Sequence, residues 1–338
     1  MTLLSDPLIS GLKYIGYLVI LVIAGSSESA SVQTESTSDP TVQLVPIGVH
    51  LLDIYDLDLK KRSFVADFYT WLRWTGSIDP REFEFMNGTM DLKDHPDYKE
   101  FGDLKYVSFR CRGTFHINLD FRAYPLDRHI LQIQIEDSNH DATELRYIAD
   151  VQNMQGTNKV KISGSWISQQ PTYEVQKIVY QTNYGNPRRG TDENAIYSRF
   201  YINIPISHTG TALGTYFKCL LPLFISASIA FLAFMINSTD LDPRFGLGVA
   251  AIFGTVSCAI VIASNLPDVP YFTLAEKLHI VALSFIFLSL FESCISLKLA
   301  RHKKFDAVRR LDRLSGIVFT IAFAGIIVIL TLRAANSS

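Results

Sequence analysis

The sequence predicts an all-β sandwich of immunoglobulin-like type followed by a four-helix transmembrane domain. Three observations predict this fold class: mean hydropathy is positive at +0.17, the first two thirds of the chain alternate apolar and polar residues, and four long apolar segments follow. The chain has 338 residues, 48% apolar and 19% charged, with a net charge of -2. This composition excludes a disordered chain, and it disfavours a nucleic-acid binder because no basic excess could neutralise phosphates.

Residues 1–30 are typical of a secretory signal peptide. Lys13 precedes an apolar run from Tyr14 to Ala24, which is too short to anchor the chain across about 30 Å of hydrocarbon. Cleavage after Ser26 and cleavage after Ala30 both fit the small residues that follow. Residues 31–40 are polar and of low complexity, and we expect a flexible lead-in there.

Residues 41–210 consist of short alternating runs bounded by Gly, Pro, Asn and Asp. The clearest runs are Phe64–Trp74, Tyr106–Phe121, His129–Glu136, Tyr173–Tyr180 and Ile196–Ile206. About ten strands at this spacing predict a β-sandwich. Cys111 is the one cysteine of this segment, so the sandwich has no internal disulfide.

Residues 211–335 contain four segments of the length that crosses a bilayer as a helix. They are Tyr216–Ile236, Phe245–Ala263, Leu278–Leu297 and Leu314–Leu332. These segments lack the polar faces of helices in a soluble domain. The connection Ala300–Arg313 carries six basic residues against two acidic ones, which indicates the cytoplasmic side. We therefore expect an integral plasma (bacterial inner) membrane protein with the sandwich and both mature termini outside, in the periplasm or extracellular space.

Catalytic motifs are missing from the sequence. It contains no phosphate-binding loop, no Cys-x-x-Cys, no His-Glu-x-x-His and no Gly-x-Ser-x-Gly. We therefore expect a protein that is not an enzyme and needs no obligatory cofactor.

Four short motifs occur in a fixed order along the chain. They are Tyr124-Pro125-Leu126-Asp127 in the sandwich, Trp166 near Gly164, Pro222 in the first apolar span, and the loop Asn265-Leu266-Pro267-Asp268-Val269-Pro270-Tyr271. Together with the topology, they resemble the pentameric ligand-gated ion channel family, the Cys-loop receptor superfamily, over residues 41–335. Animal members bracket the first motif with two cysteines, whereas Ile117 and Leu131 stand here. This loss is similar to the prokaryotic branch, so we expect a bacterial source.

The resemblance implies a homopentamer around a central pore, with a stimulus acting at the sandwich. It also implies that the sandwich loop meets the loop between the second and third helices. The implied coupling residues are Tyr124, Pro125, Asp127, Asn265, Pro267, Pro270 and Tyr271, together with the turn near Asp56–Lys61.

Two features depart from the family. The family often has an arginine before the first membrane helix that pairs with the loop aspartate, but residues 207–211 contain none. Asp127 is then expected to pair with Arg128, Arg199 or Lys218. In addition, the segment between Trp74 and Tyr106 is short for the family, which weakens the transfer of ligand-binding residues.

The second apolar span has small or hydroxyl residues repeating at helical spacing. The predicted pore-lining residues are Asp242, Gly246, Ala250, Phe253, Ser257, Ile260 and Ser264. Five copies would line a channel in which Phe253 and Ile260 form apolar constrictions that stop ions by dewetting. The alternative is that this face is a helix-packing surface.

Selectivity rests on two charged residues at the start of this span. A ring of Asp242 carboxylates attracts cations, whereas Arg244 in Arg-Phe-Gly-Leu-Gly resembles anion-selective members. If Arg244 turns toward neighbouring helices, Asp242 sets the sign. The order Asp-Pro-Arg favours cations.

Family agonists bind between adjacent sandwiches, often in aromatic cages. The loop Tyr184–Asn194 is the candidate flap, and its arginines would suit an acidic ligand; the alternative is a solvated hairpin tip. The candidate ligand-binding residues are Phe85, Tyr106, Arg110, Tyr184, Arg188 and Arg189.

A group of carboxylates is the candidate metal site. It consists of Glu136, Asp137, Asp141 and Glu144. These side chains could bind Ca²⁺ as a modulator, or sense protons together with His140, while a solvated turn is the alternative.

Other ionisable residues are interpreted as structural. His116, His129, His208 and His279 have no evident partner in the sequence. Glu292 lies in the third span, where snorkelling or a pair with Lys298 would satisfy it.

The sequence therefore predicts a ligand-gated channel that is cation-selective because of its acidic mouth and is opened by protons, divalent ions or a small molecule. The expected partners are four further copies of the chain in a homopentamer, membrane lipids, permeant ions and a small ligand or proton. We expect no nucleic-acid partner. The alternative is a non-conducting receptor whose helices anchor and signal. A transporter would need a discontinuous helix or a mid-membrane charge cluster, and neither is visible.

Overall fold

The structure is a computed structural model that describes residues 42–154, 160–162, 166–186, 194–208 and 212–337. The predicted signal peptide and lead-in lie outside the described residues, as do Arg188 and Arg189. The strands and helices described below form one compact unit.

Eleven strands are formed by the described residues before the first helix. They are β1 Gln43–Asp58, β2 Ser63–Trp74, β3 Phe83–Phe85, β4 Gly88–Phe101, β5 Leu104–His116, β6 His129–Asp137, β7 Leu145–Ala149, β8 Lys161–Ile162, β9 Trp166–Ser168, β10 Thr172–Tyr180 and β11 Ala195–His208. One sheet has the order β4-β5-β2-β1-β7, with β8 also pairing β1, and the other has the order β10-β11-β6-β3, with β9 pairing β11.

The core between the sheets is formed by the alternating apolar residues. On β2, Phe64 and Phe68 are fully buried, and so are Leu131 and Ile133 on β6. Burying one such side chain contributes roughly 1.5–3 kcal/mol. The predicted sandwich is therefore confirmed, and it is held by packing with Cys111 as a free, buried thiol.

One predicted strand ends earlier than the sequence suggested. β5 ends at His116, although the alternation continues to Phe121. The backbone amide of Phe121 instead donates a hydrogen bond of 3.1 Å to the Tyr271 hydroxyl, beyond the sandwich. This segment leaves the sheet because it reaches the membrane domain.

Four helices follow the sandwich. They are α1 Ala212–Phe231, α2 Leu241–Asn265, α3 Leu274–Arg301 and α4 Phe305–Ser337, and a 3₁₀ turn at Leu232–Met235 extends α1. All four are long and apolar enough to cross a membrane. The predicted spans are confirmed, and the fold class with them. The basic connection predicted at 300–313 is mostly the beginning of α4, because helix resumes at Phe305.

Candidate pore and gating sites

The predicted pore-lining residues lie together on one exposed face of α2. They are Asp242, Gly246, Ala250, Phe253, Ser257, Ile260 and Ser264. The side chains of Phe253 and Ile260 are 69% and 65% exposed. The opposite face, with Ala251, Thr255 and Ile262, is buried against the other helices. One helix therefore has a packed side and an open side, and the predicted residues occupy the open side.

Two glycines on opposite sides of α2 differ in the space around them. A Cβ at Gly248 would come within 2.3 Å of Leu290 Cδ2, so this glycine permits close helix packing. A Cβ at Gly246 would meet nothing within 4 Å. Within one chain, the small residue of the predicted pore face is therefore free of packing, and the packing glycine lies elsewhere.

Arg244 does not lie on the pore face. Its side chain is 0% exposed, its Nη2 donates to Asp312 Oδ2 at 2.6 Å, and its Nε donates to the Ile236 carbonyl at 2.9 Å. The prediction of Arg244 as a second selectivity residue is therefore not supported, because α4 supplies its counter-ion inside the bundle. Asp242, in the first turn of α2, is exposed.

Glu292 belongs to the same buried network. The Ser296 hydroxyl lies 2.9 Å from Glu292 Oε1 and 2.6 Å from Asp312 Oδ1. The expected pair with Lys298 was wrong, since a residue six positions along a helix points to a different face. Ser296, four positions along, shares the face of Glu292.

The sandwich and the membrane helices meet at the predicted coupling loops. The backbone amides of Leu274 and Ala275, in the first turn of α3, donate to the carbonyls of Arg122 and Tyr124 at 2.9 and 3.1 Å. The Arg122 guanidinium also lies over the Tyr271 ring at 4.9 Å. Helix amides that have no partner within α3 are thus satisfied by the sandwich loop.

Not every predicted coupling residue makes this contact through its side chain. The Asn265 side chain donates to the Val261 carbonyl of its own helix at 3.0 Å. Asp127 is buried, and its ion-pair partners are His129 and His208 of the sandwich. The hydrogen bonds to α3 are therefore made by backbone carbonyls of the loop and not by the Asp127 side chain.

Asp127 pairs with two histidines rather than with Arg128, Arg199 or Lys218. Its Oδ2 lies 2.6 Å from His129 Nε2, and its Oδ1 lies 3.4 Å from His208 Nε2. Burial alone would raise the pKa of Asp127, but the two neighbouring imidazoles lower that pKa below its usual value. The interpretation of these histidines as partnerless was wrong.

Sheet register explains the pairing. His129 begins β6, and β11 pairs antiparallel with it so that Ile206 lies opposite His129. His208 follows Ile206 by two positions and therefore points to the same side of the sheet. Arg199, further along β11, pairs instead with Glu136, with Nε 2.7 Å from Oε1.

A tyrosine cluster surrounds the β10–β11 hairpin. The ring centroids of Tyr180, Tyr184 and Tyr197 lie 5.6 to 6.4 Å apart. The Tyr180 hydroxyl donates to Glu136 Oε2 at 3.1 Å, and burial raises the pKa of Tyr180 to about 12. Of this cluster, the sequence identified Tyr184. Tyr180 and Tyr197 could have been predicted as well, because they lie in two tyrosine-containing runs that pair across one hairpin.

The remaining candidate ligand residues do not join this cluster. Phe85 is buried, with its ring centroid 5.0 Å from that of Phe115, so it belongs to the core. Arg110 lies on β5, where its Nη2 is 2.9 Å from Asp67 Oδ2. The Arg110 hydrogen bond lowers the pKa of Asp67. Tyr106 shares the outward face of β5 with Arg110, away from the hairpin.

The structure does not bring the four candidate metal ligands together. Glu136 is paired with Arg199. Asp137 Oδ1 accepts from the backbone amides of Asn139 and His140, and Asp141 Oδ1 accepts from the Thr143 amide. Glu144 is exposed. No group of three or more His, Cys, Asp or Glu side chains among the described residues could hold a metal ion.

A β-sandwich followed by four membrane-length helices is the subunit fold of pentameric ligand-gated ion channels. No family model matches the chain. The chain is 22% identical over 310 residues to the proton-gated ion channel of Gloeobacter violaceus, covering 82% of this chain and 80% of that one. It is 24% identical over 203 residues to the human gamma-aminobutyric acid receptor subunit rho-1, covering 60% of this chain and 38% of the receptor subunit.

The resemblance found in the sequence is therefore confirmed: the chain is homologous to pentameric ligand-gated ion channels. These relatives are ion channels and not enzymes, and the chain is an integral membrane protein with four membrane-spanning helices.

Proposed function

We propose that the protein is a homopentameric, cation-selective channel that external protons open. The observation that carries this proposal is the open face of α2, which presents Asp242 at one end and Phe253 and Ile260 along its length. The similarity to a proton-gated channel over 80% of that protein supports the stimulus. In this proposal residues 41–210 receive the stimulus and residues 211–335 form the pore.

Five open faces around one axis would give a pore with apolar rings. Rings of Phe253 and Ile260 would exclude water and ions while the pore is narrow. Cyclic closure follows because each α2 must present the same face to a shared axis. The apolar residues exposed on the outer helices, such as Phe287 on α3 and Ile321 on α4, suit contact with lipid or with a neighbouring subunit.

The charge at the mouth of this pore would be negative. Asp242 is exposed, whereas the Arg244 guanidinium is held inside the bundle by Asp312. Five carboxylates raise the local concentration of cations and repel anions. The predicted loop Ala300–Arg313 supports a cytoplasmic position for this end of the pore, with a signal peptide directing the sandwich outside.

Opening would follow from a shift between two states of the sandwich. A stimulus that binds the open state better moves the population toward it. The contacts of the Arg122 and Tyr124 carbonyls with α3 would pass this shift to the membrane domain. The tyrosine cluster of Tyr180, Tyr184 and Tyr197 would be a second place for a small organic ligand to act.

The direct test is a recording from oocytes that express the full chain. External pH is stepped from 8 to 4, with and without calcium, and surface pentamers are measured by cross-linking. Acid-evoked current supports the proposal. A matched variant, Phe253→Ala, removes the bulkiest apolar side chains of the proposed constriction and should leak without any stimulus. Surface pentamers that stay silent both as wild type and as Phe253→Ala would establish a non-conducting receptor and reject the channel.

A further inference from the structure

A buried carboxylate between two imidazoles lies directly behind the coupling loop. Asp127 is 3% exposed, and its two oxygens face His129 Nε2 at 2.6 Å and His208 Nε2 at 3.4 Å. Asp127 Oδ1 and His208 Nε2 are both buried, and neither makes a hydrogen bond. Two unsatisfied polar atoms thus face each other at a distance that a small movement would close.

The groups around this carboxylate come from β6, β9 and β11, from the loop that follows β5, and from α1. Trp166 on β9 stacks on the His208 ring at 3.9 Å, and Phe121 meets the edge of His129 at 5.4 Å. Among the described residues, the other titratable groups close enough to feel the charge of Asp127 are Tyr124 in the loop and Cys219 on α1. Among the described residues, the salt-bridge partners of Asp127 are imidazoles and include no lysine or arginine.

Counting charge shows why this site should bind a proton. With both imidazoles neutral, the buried group carries one uncompensated negative charge, which is costly at low dielectric. One added proton makes it neutral, and a second makes it positive. Imidazole is the side chain whose ordinary charge change falls between pH 5 and 8. A permanent cation at this place would remove the dependence on pH.

We infer that Asp127, His129 and His208 form a proton-binding site that ties the sandwich to the membrane helices. This inference rests on the proposed function and names the place where external protons act. Protonated His208 would close the 3.4 Å gap to Asp127 Oδ1 and form a charged hydrogen bond.

The position of the site gives the proton a mechanical route. His208 ends β11, four residues before α1 begins at Ala212. Asp127 lies three residues after Tyr124, whose carbonyl accepts from the first turn of α3. A proton that fastens Asp127 to His208 therefore joins the strand that enters α1 to the loop that holds α3. Acid would stabilise this joined state, and the joined state would be the open one.

The test compares the pH of half-maximal current for the wild type and matched variants of the full pentamer. His208→Gln and His129→Gln keep a polar side chain and lose the titrating charge, so each should move half-activation to lower pH by about one unit. His208→Arg supplies a permanent cation and should flatten the pH dependence, with current retained at pH 8. His116→Gln, at an exposed histidine at the end of β5, is the control and should match the wild type.

Surface labelling separates failed folding from failed sensing. If His208→Gln does not reach the surface, His208→Arg decides: a flattened pH response supports the site, and a response like that of the wild type overturns it. Unchanged pH dependence in all three variants at normal surface level would also overturn it.

A second measurement tests the proton site independently of whether the protein conducts ions. Thermal stability of the purified pentamer is measured from pH 5 to 8 for the wild type and His208→Gln. A folded state that gains proton affinity is stabilised at low pH, and that stabilisation is lost as pH rises. The wild type should therefore exceed His208→Gln by more at pH 5 than at pH 8. This result in a silent protein would reject the proposed channel and retain the proton site, whereas acid-evoked current with equal pH profiles would reject the site alone.

Discussion

The Asp312→Asn variant tests whether Arg244 is held inside the bundle by a charge on α4. The Arg244 side chain is fully buried, and its Nη2 lies 2.6 Å from Asp312 Oδ2. Removing the carboxylate charge leaves a buried guanidinium whose remaining described acceptor is the Ile236 carbonyl at 2.9 Å. Its Nη1 already lacks a hydrogen bond. The loss of one partner from such a pair costs about 3–5 kcal/mol.

A nearby carboxylate could reduce the loss of stability in Asp312→Asn toward the lower end of about 3–5 kcal/mol. Glu292 is joined to Asp312 through the Ser296 hydroxyl, with distances of 2.9 and 2.6 Å. It could compensate part of the lost charge if its side chain turns toward Arg244. The double variant Asp312→Asn with Glu292→Gln should therefore lose more stability than Asp312→Asn alone.

The assay is unfolding of the purified protein in mixed micelles with increasing SDS. Asp306→Asn is the matched control, because Asp306 is an exposed aspartate of the same helix. It should change the free energy of unfolding by less than about 0.5 kcal/mol. Arg244→Met with Asp312→Leu should recover most of the loss, since apolar replacement of a whole buried pair is often close to neutral.

A small effect of Asp312→Asn would refute the reasoning. If this variant unfolds like Asp306→Asn, Arg244 does not depend on α4 for its charge balance. Arg244 would then be available to the pore, and the assignment of selectivity to Asp242 would lose its structural basis.

Two further predictions concern packing and a sandwich ion pair. Gly248→Ala should destabilise the helical domain by about 1–3 kcal/mol, because its Cβ would come within 2.3 Å of a leucine side chain. Gly246→Ala, whose Cβ meets nothing, should stabilise the helix by up to about 1 kcal/mol, and equal effects in the same SDS assay would contradict this. Arg199→Gln should cost about 3 kcal/mol, because it leaves Glu136 buried without its cation; a thermal midpoint equal to that of the wild type would show that the pair is dispensable.

The elements with a regular period could be predicted from the sequence. The strands follow from alternation, and the membrane helices follow from apolar length. The residues predicted to line the pore share one exposed face of α2, because helical spacing decides which residues share a face. Phe253 and Ile260 therefore lie where the sequence placed them.

Partners distant in the sequence could not be predicted. Arg244 and Asp312 are separated by 68 residues, and only the assembly of the helical bundle brings them together. The pairing of Asp127 with His208 depends on the register between β6 and β11, which spacing does not reveal. The tyrosine cluster depends in the same way on the β10–β11 hairpin.

The metal prediction failed for a related reason. Carboxylates close in sequence need not converge, because successive residues of a strand point to opposite sides. Glu136 and Asp137 end β6 in this way, one toward Arg199 and the other toward the turn that carries His140. Composition within a short segment indicated a ligand set, but Glu136, Asp137 and Asp141 each have a separate partner, and Glu144 is exposed.

The most direct test of a cation channel lined by α2 is the reversal potential under a tenfold sodium chloride gradient. The sodium and chloride potentials then lie on opposite sides of zero, each by about 59 mV. The wild type should reverse near the sodium potential. Asp242→Asn should move the reversal potential toward zero, and Asp306→Asn should leave it unchanged. Reversal near the chloride potential, or an Asp242→Asn variant identical to the wild type, would contradict the assignment of selectivity to the Asp242 ring.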